Sequence, residues 1–274
     1  MREIGNPVSP CDDPCDVAIP LVYPMQPIPI PVSAVREKIP FDGIDVPASM
    51  QATFTDPDSR PPLSVQRVSG GSYYVLGLGH AGIAIINGRT GGVKYAEYGR
   101  YDAANRGLAR WVPAVESLTM TFTDSGNPDP ASMAALGRQL VATNGGPYAV
   151  EGIWVKLRNG AFGVMQSFIN DRIRDTTAGT AAIYDVTSNH CFTFAREVAR
   201  SAGVNTGVSG APELDLEIRG GNFATRGLVA MRAPTIEVPA RQIKIMQNRY
   251  RDYRLNTSGR LVGSEYFPRT INGM

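Results

Sequence analysis

The chain has 274 residues, with 27 Lys and Arg against 25 Asp and Glu, a formal net charge of +2, 43% hydrophobic and 19% charged residues. That balance excludes a histone-like or polyacidic chain and fits a globular protein of one large or two modest domains. No apolar run approaches the roughly 18 residues a membrane-spanning helix needs, and the start, Met1-Arg-Glu-Ile-Gly-Asn-Pro7, lacks the basic and apolar stretches of a secretory signal, so any export is expected to use another route.

Residues 1–50 hold 10 of the 21 prolines, which argues against a helix or a central strand there and predicts an extended, largely polyproline-like arm. Its apolar residues, among them Ile19, Leu21, Val22 and Tyr23, make it too hydrophobic for a solvated linker, so the arm is expected to lie on the body or on a partner. Within it, Cys11-Asp-Asp-Pro-Cys15 reads as two surface thiols or one optional bridge, with a metal site as the alternative. With Cys191 these are the only cysteines, and His80 and His190 are the only histidines. A disulfide framework or a zinc finger is not expected from so small a supply.

From Gln51 onward, strand signals at 52–55, 64–68, 72–76, 81–86 and 93–98, separated by turns such as Asn87-Gly-Arg-Thr-Gly-Gly92, predict an antiparallel meander. Ser117 to Thr123 alternates Leu118, Met120 and Phe122 with polar residues, as a half-buried strand does. Asp129 is placed to cap a helix that starts at Pro130, carries Met133, Leu136, Leu140 and Val141, and stops near Gly145. A second helix is predicted over 162–173 and a third from Asn189 or His190 to Gly203, with strands at 223–231 and 235–246. From Arg219 to the end, ten Arg and Lys face three acidic residues. That excess reads as a solvated Arg-rich face, with an anionic surface as the alternative partner. The domain expectation is an arm at 1–50, a catalytic domain at 51–210, and a basic β-rich extension at 211–274 packed on the same domain.

Gly77-Leu-Gly79-His-Ala-Gly82 matches the dinucleotide-binding pattern letter for letter. That motif works only where its last glycine opens a helix whose N-terminus holds a pyrophosphate. Here Ile83-Ala-Ile-Ile86 and a Gly-rich turn follow, so the segment reads as a strand and a hairpin.

Tyr184-Asp-Val-Thr-Ser-Asn-His-Cys191-Phe-Thr-Phe leads from a short strand into a helix with a thiol in its first turn. Unpaired N–H groups and the positive helix end stabilise a thiolate, lowering a free-Cys pKa of about 8.5, and can hold the oxyanion of an attacked carbonyl. The alternative is a small apolar core residue. A thiol nucleophile also needs an imidazole base and a polar group to orient it. Adjacent helical residues point about 100° apart, which argues against His190. His80, flanked by Gly79 and Gly82, opens a strand with room for a substrate backbone. Glu97 lies on the next predicted strand, where antiparallel pairing brings it beside His80; a solvent-facing strand glutamate is its alternative.

Gly79-His-Ala-Gly-Ile-Ala-Ile85, Tyr95-Ala-Glu-Tyr-Gly99 and the Tyr184 to Phe194 segment resemble the circularly permuted papain-like hydrolases. These include permuted NlpC-type amidases, PPPDE peptidases and lecithin:retinol acyltransferases, in which the His-bearing strand precedes the Cys-bearing helix. The resemblance covers about residues 72–203. It implies an α+β fold, a permuted papain-like core with an antiparallel sheet packed against the Cys-bearing helix. It also implies Cys191 as nucleophile, His80 as base and Glu97 as orienting group. His190 stands where relatives often have Asn, and the insert from Asp124 to Gly179 is long. Among relatives are bacterial cell-wall toxins, some delivered by type VI secretion, so the expectation is a cysteine amidase or endopeptidase acting on peptidoglycan stem peptides in the periplasm of a target cell. No cofactor, metal, membrane span or nucleic acid is expected. An immunity protein plugging the cleft, and a secretion-machine carrier docked through the arm, are the partners this reading implies. A protein isopeptide, thioester or lipid acyl bond is the second substrate class, and a non-enzymatic adaptor the third reading.

Overall fold

The computed structural model of the chain describes residues 14–24, 26, 28–31, 49–51, 64–68, 72–76, 79–99, 107–124, 126–143, 150–184, 189–204, 239, 242–243 and 246. The fold is α+β. Strands β1 (Asp16–Tyr23), β6 (His80–Ile86), β7 (Val93–Gly99), β8 (Leu108–Trp111), β9 (Glu151–Gly152) and β10 (Val155–Leu157) form one antiparallel sheet in the order β10-β1-β6-β7-β8, with β9 also on β1. Strands β2 (Ile28–Pro31), β3 (Ser49–Gln51), β4 (Ser64–Val68) and β5 (Ser72–Leu76) form a second sheet in the order β2-β5-β4-β3. Helices α1 (Pro130–Thr143), α2 (Ala161–Thr177) and α3 (Cys191–Ser201), with a 3-10 turn at Pro113–Val115, complete the named elements.

Both faces of the larger sheet are covered. Val17, Ile19 and Leu21 of β1, with Ala84 and Ile86 of β6, pack with Met133, Leu136 and Leu140 of α1. The intervening residues, Ala18, Val22, Ala81, Ile83 and Ile85, pack with Met165 and Ile169 of α2 and Ala195 and Val198 of α3. A strand buried on both faces reads as a continuous apolar run, as β1 does. Its placement corrects the expectation that the first 50 residues hold no central strand: β1 lies inside the sheet, paired with β6 on one side and β9 and β10 on the other.

The prolines are accommodated rather than excluded. Ala18 faces Val155 and Leu21 faces Gly152, so the register is continuous and puts Pro20 opposite Ile153. The Pro20 carbonyl accepts the Ile153 N–H at 3.1 Å. Pro20 has no N–H to return, and the ladder breaks there into β9 and β10. Pro29 and Pro31 lie on β2, an edge strand, and prolines two residues apart put their missing donors on one side, where an edge tolerates them.

The meander is corrected as well, since 64–68 and 72–76 belong to the smaller sheet and 80–86 and 93–99 to the larger. Of the strand expected at 52–55, nothing lies within the described residues; β3 ends at Gln51. Ser117 to Thr123 shows the expected alternation, with Met120 buried between exposed Thr119 and Thr121, but only isolated bridges. Its Met120 N–H goes to the Gly91 carbonyl in the β6–β7 turn and its Thr121 carbonyl accepts the Asp129 N–H, so among the described residues it forms no ladder. Asp129 caps α1 as read, its Oδ2 accepting the N–H groups of Ala131 and Ser132 at 3.0 Å. Helix α2 runs four residues past its predicted end. The strand expected over 235–246 is overturned: Pro239, Gln242, Ile243 and Met246 are helical, and Ile243 and Met246, three apart on one helix face, are buried in the core beside α2 and α3. The strand expected at 223–231 lies outside the described residues.

Candidate active site

Gly79, at φ +76°, brings the chain into β6; a Cβ there would lie 2.9 Å from the Tyr23 carbonyl oxygen. His80 follows as the first residue of β6, paired with Tyr23 and stacked on its ring at 6.4 Å. Tyr23 is itself fixed from the other side, donating its hydroxyl hydrogen to the Leu140 carbonyl of α1 at 3.3 Å.

Glu97 of β7 pairs with Gly82, two residues along β6 from His80 and on the same face. A Cβ on Gly82 would meet the Tyr95 hydroxyl at 2.4 Å. The space at Gly82 is therefore filled by Tyr95 and that beside Gly79 by the β1 backbone, which corrects the expectation that these glycines make room for substrate. The Tyr95 hydroxyl donates to Glu97 Oε1 at 2.9 Å, and Arg110 Nη2 of β8 donates to Oε2 at 3.0 Å. Glu97 is 1% exposed, not a solvent-facing strand residue, and its Oε1 lies 3.8 Å from His80 Nε2. With Nε2 turned to the carboxylate, Nδ1 is the ring nitrogen left for the thiol.

Cys191 is the first residue of α3, 2% exposed, with a free thiol. The first helical bond runs from the Phe194 N–H to the His190 carbonyl, so the N–H groups of the turn that begins at Cys191 have no intrahelical acceptor. The Tyr184 hydroxyl donates toward Sγ at 3.9 Å, and its ring stacks on Tyr98, which stacks on Phe194.

The electrostatics of these buried groups oppose desolvation. Burial alone would push the Cys191 thiol up, yet hydrogen bonds from His190 and His80 and the His80 charge bring it down to about 5. Burial would lower the His80 imidazole, but the thiolate and Glu97, by hydrogen bonding and charge, raise it to about 10. Burial would raise the Glu97 carboxyl, and His80, Arg110 and Tyr95 together hold it at about 2. At neutral pH the arrangement is a thiolate–imidazolium pair backed by a carboxylate.

All three residues singled out from the sequence, Cys191, His80 and Glu97, thus come together. His190 joins them. Its exclusion as the base rested on helical spacing, but it is the N-cap of α3, with extended backbone (φ −130°, ψ −179°), and it is among the groups that lower the Cys191 thiol. Sequence reasoning also missed Tyr95 and Arg110. Tyr95 sits two residues before Glu97, hence on its face of the strand, and was open to that reading; Arg110 needed the β7–β8 register. Of the Cys11 and Cys15 pair, Cys15 is 1% exposed and disulfide-bonded, not a free surface thiol, and Cys11 lies outside the described residues.

Residues 18–207 match the family model described as type VI secretion system effector TseH-like. The chain belongs to the TseH-like effectors. Its structure is similar to the crystal structure of the type VI secretion system effector TseH, with a TM-score of 0.51 at 18% identity, over 86% of this chain and 90% of that one. At that identity the likeness concerns the fold, an antiparallel sheet with helices. No curated protein matches the chain. The family match begins at Ala18, inside β1, so the central strand missed from the sequence belongs to the shared part of the effector.

Proposed function

We propose that this TseH-like effector is a cysteine amidase or endopeptidase that hydrolyses peptide bonds in peptidoglycan stem peptides, acting as an interbacterial toxin in the periplasm of the cell it enters. The observation that carries the reaction class is the buried Cys191, His80 and Glu97 set at the start of α3. The substrate class rests on the effector family together with the resemblance to permuted papain-like wall hydrolases.

In this reading the Cys191 thiolate attacks the scissile carbonyl carbon, and the first-turn N–H groups of α3 receive the developing oxyanion. His80, as imidazolium, gives its proton to the leaving amine as the C–N bond breaks and a thioester forms. Neutral His80 then takes a proton from water, the hydroxide adds to the thioester carbonyl, and the C–S bond breaks to release the acid and restore the thiolate. Glu97, held by Tyr95 and Arg110, keeps the His80 ring oriented and favours its charged form. Delivery through a carrier, and an immunity protein that plugs the cleft in the producing cell, complete the proposal.

The test is digestion of purified peptidoglycan by wild type and Cys191→Ala, with soluble fragments identified by mass spectrometry. New stem-peptide termini with wild type alone are expected. Intact peptidoglycan with a thiol that still reacts with an alkylating probe would redirect the chemistry to isopeptide, thioester or lipid acyl bonds; an inert thiol would leave an adaptor.

A further inference from the structure

We propose that Tyr23 is a positioning residue for His80: its ring, anchored through its hydroxyl to α1, lies parallel to the imidazole and holds it with Nε2 toward Glu97 and Nδ1 toward the thiol. This rests on the reading of His80 as the base for Cys191. It also gives a task to α1, the first helix of the long insert between Asp124 and Gly179, which supplies none of the reacting groups.

The need arises from the imidazole itself. The torsion that sets the plane of a histidine ring is broad and has no sharp staggered well, and His80 is the first residue of β6, at the end of the sheet. Glu97 Oε1 lies 3.8 Å from Nε2. One carboxylate fixes which nitrogen faces it, but leaves the tilt of the ring about that line open. The titratable and charged groups facing the imidazole are Tyr23 from β1, Glu97 from β7 with Tyr95 and Arg110 on its oxygens, and Cys191 from α3 beside its N-cap His190. Of these, Tyr23 is the one that presents a flat face to the ring.

Tyr23 is the last residue of β1 and pairs directly with His80 in the β1–β6 register, which makes their side chains neighbours on one face of the sheet. The ring centroids are 6.4 Å apart and the planes 17° from parallel, within the range of stacked aromatic pairs. Tyr23 is 0% exposed, so its ring is the fixed partner of the two. At the far end of that ring the hydroxyl donates to the Leu140 carbonyl at 3.3 Å. Leu140 belongs to the last turn of α1, where carbonyls have no N–H partner within the helix. The bond therefore satisfies a buried phenol and a helix end together, and the ring is pinned at its backbone by the strand pairing and at its hydroxyl by α1. A ring held in this way keeps Nδ1 directed at the sulfur both before and after His80 gives up its proton.

The test reads the thiol rather than a substrate. Alkylation of Cys191 by iodoacetamide is followed against pH in the full chain, with the modified peptide mapped by mass spectrometry, for wild type, Tyr23→Phe and Tyr23→Leu. Tyr23→Leu keeps an apolar side chain and loses the stack. Its acid limb is expected to move up by about one pH unit, slowing alkylation about tenfold below the limb and leaving the high-pH plateau unchanged. Tyr23→Phe keeps the ring and loses only the anchor, so its rate is expected to stay within about threefold of wild type. An unmoved limb in folded Tyr23→Leu, or a Tyr23→Phe limb displaced as far as that of Tyr23→Leu, overturns the proposal. Should Tyr23→Leu fail to fold, nuclear Overhauser contacts decide: the Tyr23 ring is expected to contact the His80 imidazole protons in wild type and in Cys191→Ala alike, because the ring and not the sulfur holds the imidazole. Contacts that are absent, or lost in Cys191→Ala, overturn it. A wild-type thiol titrating at its ordinary value overturns this proposal and the nucleophile together. A displaced Tyr23→Leu limb without peptidoglycan cleavage by wild type bears the proposal out and overturns only the substrate assignment.

Discussion

At the Cys191 sulfur, burial pushes the thiol up, and hydrogen bonding and charge from His190 and His80 outweigh it. Activity is therefore expected to follow a bell against pH. It rises near pH 5 as the thiolate forms, and falls near pH 10 as His80 loses the proton the leaving amine needs; a pH–rate profile of peptide release checks both limbs. Cys191→Ala and His80→Ala are expected to abolish turnover. Glu97→Gln should cost less, about 10- to 100-fold in kcat/KM, because Glu97 acts through His80 and a carboxamide oxygen can still accept its N–H. Glu97 also links the site to stability. Its carboxyl is depressed in the fold, so its contribution is full above the unfolded value of 4.5 and is lost as pH falls toward about 2. Arg110→Met removes one partner that depresses it, so acid unfolding followed by circular dichroism should begin at higher pH than in wild type; an unchanged midpoint would contradict the assigned hold.

At the scale of elements, Asp16 ties three of them together. It is 3% exposed at the start of β1; its Oδ1 accepts the Gly88 N–H of the β6–β7 turn at 2.8 Å and its Oδ2 the Phe162 N–H of α2 at 2.9 Å. Asp16→Ala strands both donors and is expected to cost about 2–4 kcal/mol in denaturant unfolding, while the thiol of the folded fraction keeps its reactivity. Much of this scale was legible. Asp129 before Pro130 announced a capped helix, and the Cys191 segment announced a helix with the thiol in its first turn, because both signals are local; the short strand read before it is not among the described strands. β1 was not legible, since its prolines argue against a central strand unless one knows that Pro20 falls opposite Ile153, at the break in the ladder. Division of the strands between two sheets depends on long-range register that no local pattern carries. In the site, His80 and Glu97 could be paired through a hairpin. The spacing argument about His190 took it as a helical residue, whereas it is the N-cap of α3 with extended backbone.

For the whole molecule, residues 16–23 are core and not an appendage. A chain starting at Pro24 would lose the partner of β6, β9 and β10 and the strand that seats His80. Such a truncation is expected to be insoluble or unfolded by circular dichroism; a folded, thiol-reactive product would contradict the placement of β1. On the proposed wall-hydrolase reading, this TseH-like effector should harm a bacterium when directed to the periplasm and not when kept in the cytoplasm, and Cys191→Ala should be harmless in both. Plating efficiency reads that contrast. Capture of the acyl-enzyme tests the central claim most directly: wild type mixed with stem peptide, quenched in acid, and analysed by intact and peptide-level mass spectrometry. The account predicts a mass increment equal to the acyl half of the cleaved peptide, located on Cys191. Cleavage with no adduct on Cys191, persisting in Cys191→Ala, would contradict it.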